Sequence, residues 1–146
     1  MQKKFAILGD IHSNIDALNV VLDDCRANGV TDFLCTGDVV GYNACPRECI
    51  EIIRSLGCPV VMGNHDHYVS SWQNLSDFNP AAAEVIKWTR KQLNDEELSF
   101  LRSFPFVSTN MGITLVHSTM DCPESFGYVF DHHQAEAHFT HQVTPI

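Results

Sequence analysis

Three short apolar runs punctuate the first half of the chain, and each ends in a glycine followed by a side chain that can hold a metal ion. Phe5-Ala6-Ile7-Leu8 runs into Gly9-Asp10, Phe33-Leu34-Cys35-Thr36 into Gly37-Asp38, and Pro59-Val60-Val61-Met62 into Gly63-Asn64. The intervals, 28 residues from Asp10 to Asp38 and 26 from Asp38 to Asn64, are close to the length of one βαβ unit, about 30 residues. The segments between the runs have helical spacing. Ser13 or Asn14 can cap a helix with the stripe Ile15, Leu18, Val21, Leu22 and Cys25, which Asn28-Gly29 ends. Pro46 suits the first turn of a second helix, with Cys49, Ile52, Ile53 and Leu56 on one face and Gly57 as its stop. A βαβαβ order implies a parallel sheet with right-handed crossovers. In such a sheet the carboxyl ends of adjacent strands converge on one crevice, the usual ligand site.

The second half is less regular. Helices are expected over 80–93 and 95–101, and a hairpin over 104–109 and 113–117 around Asn110-Met111-Gly112. A loop follows over 119–130, then a short helix over 131–139 and the lead-in to a strand over 142–146. The hairpin delivers His117 at a strand end, as the earlier runs deliver their polar residues. Four strand ends therefore carry Asp10 with His12, Asp38, Asn64 with His65 and Asp66, and His117. Carboxylate, imidazole and carboxamide donors together suit divalent Mn, Fe or Zn. A single Asp after a strand is commonly a turn or cap residue, but four such placements in register are hard to explain that way.

Composition narrows the function classes. The 146 residues fit one domain, 45% of them hydrophobic. Eighteen acidic against nine basic residues leave a formal charge of -9, which argues against a basic nucleic-acid surface and against anionic membranes. No apolar run reaches the roughly 20 residues of a membrane span, and no secretory leader is visible, so a cytoplasmic protein is expected. The six cysteines form no CxxC pair, and Cys25, Cys35, Cys49 and Cys58 occupy core-like positions, as reduced thiols do. A zinc site on Cys45 and Cys49 would need ligands from elsewhere.

Asp10-Ile11-His12, Gly37-Asp38, Gly63-Asn64-His65-Asp66 and Leu115-Val116-His117 together resemble the first four motifs of the calcineurin-like metallophosphoesterases. Gly37-Asp38-Val39-Val40-Gly41-Tyr42, with Pro46 and Glu48-Cys49-Ile50, is most similar to the small bacterial phosphoesterases of that superfamily. The resemblance implies an α/β fold, a two-sheet mixed β-sandwich flanked by helices. It also implies two divalent metal ions (Mn, Fe or Zn): Asp10 and His12 on the first, Asp38 bridging both, Asn64 and His117 on the second. His65 would be catalytic, binding the phosphate and serving the leaving oxygen, with Asp66 orienting it. The implied activity is hydrolysis of a small phosphomonoester or phosphodiester by a metal-bound hydroxide. A catalytically incomplete metal- or partner-binding module, or a Ser/Thr protein phosphatase, stand as alternatives.

Three departures accompany the resemblance. Ser118 and Asn43 stand where the family often has glycine, and Asn tolerates the left-handed backbone such a position needs. The family's fifth motif, Gly-His-Xaa-His, is absent. His138-Phe139-Thr140-His141 superficially resembles it with one extra residue but begins inside the helix expected over 131–139, while His67, His132 and His133 read as solvated. The chain is therefore expected to be a single domain, 1–146, truncated before that motif and lacking its C-terminal strands. An exposed sheet edge would then favour a homo-oligomer or a strand swap.

Overall fold

The computed structural model describes residues 3–76 and 78–146. Strands β1 (Phe5–Leu8) and β2 (Asp32–Cys35) pair in parallel, from Phe5 opposite Asp32 to Leu8 opposite Cys35. Helix α1 (Ile15–Ala27) makes the crossover. Asn14 caps it by accepting from the Ala17 N–H at 3.0 Å, and Leu18 and Leu22 form its buried face. Helix α2 (Pro46–Leu56) opens on Pro46 and stops at Gly57, whose φ of 59° is left-handed.

The expected third strand, 59–62, is reduced to one parallel bridge between Val60 and Cys35. Cys35 N donates to Pro59 O at 2.9 Å, and Val61 N to Cys35 O at 3.0 Å. Pro59 has no N–H to extend the ladder, and Met62 N turns away to Pro105 O at 2.8 Å. The chain then enters a helix that the sequence reading did not anticipate, α3 (Asn64–Ser70).

Helices α4 (Pro80–Gln92) and α5 (Asp95–Arg102) pack against α3. Asn94 and Glu97 cap α5 reciprocally. Strands β3 (Val107–Asn110) and β4 (Ile113–Val116) form the antiparallel hairpin. Met111 at φ 55° and Gly112 at φ 80° make its two-residue turn, the twist that suits a tight hairpin. Helix α6 (His132–Phe139) follows, capped by Asp131.

Alternation along the strands splits the core in two. Leu8, Cys35, Val60 and Met62 join Leu18, Leu22, Ile50, Ile53, Ile86 and Leu101 on the helical side. Leu34 and Val61 face the other way and bury Ile113 and Leu115 of the hairpin. Two small sheets thus sandwich an apolar layer, with helices flanking the first, as the α/β expectation holds. On the outer edge of β1, Ile7 remains 54% exposed. The tail begins to pair beside β4: Thr114 N donates to Ile146 O at 2.9 Å, though no ladder forms.

Among the described residues, no helix is long and apolar enough to cross a membrane. All six cysteines are free; Cys35 and Cys49 are buried and Cys122 is exposed. His132 and His133 are exposed as expected. His67 corrects the reading: it is half-buried against Tyr68, Phe106 and Phe126, with Nε2 2.9 Å from Gln73 Nε2.

Candidate metal centre

The loops after β1 and β2 are laced together by their backbones. Asp10 N donates to Gly37 O at 3.2 Å, His12 N to Asp38 O at 2.9 Å, and Ser13 N to Val39 O at 3.0 Å. Buried Ser13 adds its Oγ as acceptor for Gly41 N at 3.1 Å. This lacing holds Asp10, His12, Ser13, Asp38 and Tyr42 at φ between 47° and 59°, a region that residues other than glycine seldom occupy.

The glycines before the polar residues serve in two ways: Gly37 turns the backbone at a left-handed φ of 93°, whereas Gly9 and Gly63 allow close approaches. Gly63 has an ordinary negative φ of -85°. A Cβ there would collide with the Asp38 carboxylate and the Asp38 backbone N. Gly63 is a point of close approach, letting the head of α3 press onto the loop after β2. The left-handed residue expected at Asn43 is Tyr42 instead; Asn43 donates from its side chain to His12 O at 2.9 Å.

The structure brings Asp10, His12, Asp38, Asn64, His65 and His117 to one cavity of about 300 Å³. Within it, ligand atoms of His12, Asp38 and His65 lie within 4.8 Å of one another, and so do those of Asp10, Asp38 and His117. Asp38 belongs to both groups. It is 2% exposed; its Oδ1 accepts from His65 N at 2.9 Å. Its Oδ2 lies 3.6 Å from His12 Nε2 and 3.6 Å from His117 Nε2. These separations are too long for hydrogen bonds. They resemble the spacing of ligands sharing an ion, roughly 3.4 Å for tetrahedral bonds of about 2.1 Å.

Both imidazoles are oriented for such a role. His12 Nδ1 lies 3.2 Å from Val40 O and His117 Nδ1 2.8 Å from Thr36 O. A carbonyl there holds the proton on Nδ1 and turns the Nε2 lone pair inward, the arrangement of a metal-ligating histidine. His117 Nε2 then faces Asn64 Oδ1 at 3.0 Å as well as Asp38 Oδ2. Acceptors converge on one point, and a cation satisfies them. The residues present fit a divalent metal.

Burial pushes Asp38 up to about 6, against the opposing influence of His117 and the His65 N–H. Burial, with Asp38 adding to it, pushes Asp66 up to about 7. His65 is lowered to about 4, by burial first and then by His12 and His117. Its ring packs 4.6 Å from Tyr42 and 4.8 Å from His12, measured between centroids.

The structure does not show Asp66 orienting the His65 ring. Its carboxylate accepts from Val40 N at 3.1 Å and Gly63 N at 3.4 Å, pinning the loop after β2 to the head of α3. His65 Nδ1 finds no hydrogen-bond partner among the described residues. Burial decides the difference: a fully enclosed carboxylate needs donors, and these two backbone N–H groups supply them. Cys45 and Cys49 enter no cluster of three ligating side chains among the described residues.

Sequence reading missed the cavity's second wall, which Ser118, Phe126, Gly127 and Tyr128 contribute. Residues 119–130 carry no periodicity that could have placed them. Ser118, noted as a departure, is tied by its Oγ to Pro123 O at 2.8 Å. Tyr42 was visible within its motif, but its place against His65 was not.

The sequence pattern of the calcineurin-like phosphoesterases matches residues 3–141. The chain belongs to that family. It is 40% identical over 134 residues to an uncharacterized protein of Methanocaldococcus jannaschii, covering 89% of this chain and 55% of that protein. A symmetrical bis(5'-nucleosyl)-tetraphosphatase of Sodalis glossinidius is 34% identical over 101 residues, 59% of this chain and 36% of that protein. Among solved structures, a metallophosphoesterase from Sphaerobacter thermophilus superposes with a TM-score of 0.84 at 36% identity, covering 99% of this chain and 58% of that chain. The matched region thus covers between 36% and 58% of the length of these relatives.

Proposed function

We propose that this family member is a dinuclear metal-dependent phosphoesterase in which Asp38 bridges two divalent ions. The shared position of Asp38 in both ligand groups carries the reading. By the family resemblance, Asp10 and His12, 3.6 Å apart, would complete the first site, and Asn64 and His117, 3.0 Å apart, the second. The cavity groups Asp10 with His117 and His12 with His65 instead, so Asp10 stands within reach of both sites. Mn, Fe and Zn all suit this donor set. Bound ions supply Lewis acidity and lower the pKa of coordinated water.

The protein's own residues do the rest. The Val40 and Thr36 carbonyls hold the His12 and His117 rings in place. Asp66 fixes the two loops that carry Asp38 and His65. His65, lowered to about 4, is neutral near pH 7. It can therefore donate an N–H to a phosphoryl or leaving oxygen, and its ring, packed on Tyr42, cannot swing freely. A net charge of -9 is no obstacle once two divalent ions supply the positive field an anionic phosphate needs.

The symmetrical bis(5'-nucleosyl)-tetraphosphatase among the relatives supports a nucleoside phosphoester as substrate. Six free cysteines support a reducing, cytoplasmic setting. The test is to titrate the 146-residue protein with Mn²⁺ by calorimetry and assay bis(4-nitrophenyl) phosphate hydrolysis. Two bound ions and metal-dependent turnover are expected. Neither binding nor turnover would end the reading for this chain.

A further inference from the structure

Tyr42 belongs to two cavities. One is the metal centre. The other, about 460 Å³, lies between the loop after β2 and helix α4 and is lined by Tyr42, Asn43, Ala44, Glu84, Val85 and Trp88. Its volume is in the range of small-molecule sites, about 300–1,000 Å³. Its walls are chiefly apolar and aromatic, whereas the metal centre gathers carboxylates and imidazoles beside its own aromatic residues.

The sequence of α4 explains the groove. Ala83, Ile86 and Thr89 face the core, which turns Trp88 outward. Trp88 is 42% exposed and Tyr42 56% exposed. The tryptophans differ in how they are used. Arg90 covers Trp72 at 4.8 Å, while among the described residues no ring or cation stacks on Trp88. Tyr42 leans one way onto His65 and His12 and borders the groove on the other. Its left-handed backbone, φ 51°, sets it at that boundary.

We propose that this groove is the subsite for the nucleobase of a nucleoside phosphoester, with Trp88 as the stacking platform. The proposal rests on the phosphoesterase reading, because it places the leaving group beyond His65, on the Tyr42 side. The phosphate itself stays in the metal centre, since the groove presents a Glu84 carboxylate, paired with Lys87 at 2.8 Å, and no free cation among its lining residues. An uncharged planar ring fits that lining: it can stack on the indole, and Glu84 offers an acceptor to a ring amine.

Two measurements test this. Trp72→Phe leaves Trp88 as the one tryptophan of the chain, so its emission reports on the groove directly. Adenosine 5'-monophosphate should quench it saturably, with or without Mn²⁺, and ribose 5-phosphate should not. In the metal-loaded protein, Trp88→Leu keeps apolar area and removes the ring. The kcat/KM ratio of a nucleoside phosphodiester over a methyl phosphodiester should then fall roughly tenfold, the size of a lost base–aromatic stack, chiefly through KM. Trp88→Phe should restore most of it. Quenching that is absent or equal with ribose 5-phosphate would overturn the subsite, and so would an unchanged ratio in an active enzyme. If the metal-loaded protein hydrolyses neither ester, the phosphoesterase reading fails, and the fluorescence titration alone decides whether the groove binds a base.

Discussion

The two walls of the metal centre are made differently. The wall formed by the loops after β1 and β2 and the head of α3 is buried and cross-tied: backbone bonds join loop to loop, and Asp66 and Ser13 bond the backbone of their neighbours. The facing wall, from Ser118 to Tyr128, is held by a few local bonds such as Ser118 Oγ to Pro123 O. Nearby side chains stay in solvent, Tyr128 at 72% and Phe130 at 80% exposure. The rigid wall is suited to holding the proposed metal ligands in place. The looser wall has little packing to lose and can adjust to a substrate.

The largest contrast should come from removing the shared ligand. Asp38→Ala is expected to lose both ions and all metal-dependent turnover, whereas Tyr128→Ala should keep both ions and shift KM by a few-fold. Retention of two ions by Asp38→Ala, read by elemental analysis, would sink the bridging role.

Thiol labelling compares the same regions. Burial pushes Cys35 and Cys49 up to about 12, so at pH 8 they carry almost no thiolate, the reactive form. Cys122, exposed on the looser wall's segment, should be alkylated first by a wide margin in the folded protein. Mass spectrometry of iodoacetamide-treated protein settles it, and equal labelling of Cys35 would show that the inner wall opens readily.

Alanine at two glycines gives a smaller, energetic comparison. Gly63→Ala drives a Cβ into the Asp38 carboxylate and backbone, and should cost about 2 kcal/mol or more as overpacking does. Gly127→Ala meets the Thr119 side chain, its hydroxyl at 3.0 Å and its methyl at 3.3 Å, a tight contact that a shift of a few tenths of an ångström relieves, and should cost about 1 kcal/mol. Urea unfolding of both variants measures the difference, and equal costs would erase it.

The subtlest effect is on pH dependence. Burial raises Asp38 to about 6 and Asp66 to about 7 from an ordinary value of 3.8. The fold therefore favours their protonated forms, and this contribution is fully present below about 3.8 and lost as pH rises through 6 and 7. Metal-free protein should melt at a lower temperature at pH 8 than at pH 5, and Mn²⁺ at pH 8 should reverse the loss. Equal or greater metal-free stability at pH 8 would contradict the buried pair.

The rigid wall was also the legible one. Its residues follow strand ends at βαβ spacing, so Asp10, Asp38 and Asn64 could be placed together from the sequence, and the hairpin's end added His117 beside them. Spacing did not reveal that Pro59 and the turn of Met62 would shorten the third strand to a bridge. Nor did it reveal where Asp66 would send its bonds, because burial of a carboxylate depends on everything packed around it. Phe126 and Tyr128 reach the cavity through a loop whose path is set by contacts distant in sequence, such as Phe126 against His67 and Tyr68.

Left-handed backbone at Asp10, His12 and Asp38 has a bearing on how this centre can change. Asp, Asn and His are among the residues that accept such a conformation most readily; β-branched and bulkier residues resist it. Replacing one of these proposed ligands would thus be judged twice, once by an ion for its donor atom and once by the main chain for its torsions. Threonine in place of Asp38 would fail the second judgement whatever its oxygen offered the first. Retuning such a centre for another metal is easier through the groups that surround the ligands, the carbonyls of Thr36 and Val40 and the buried Asp66, than through the ligands themselves.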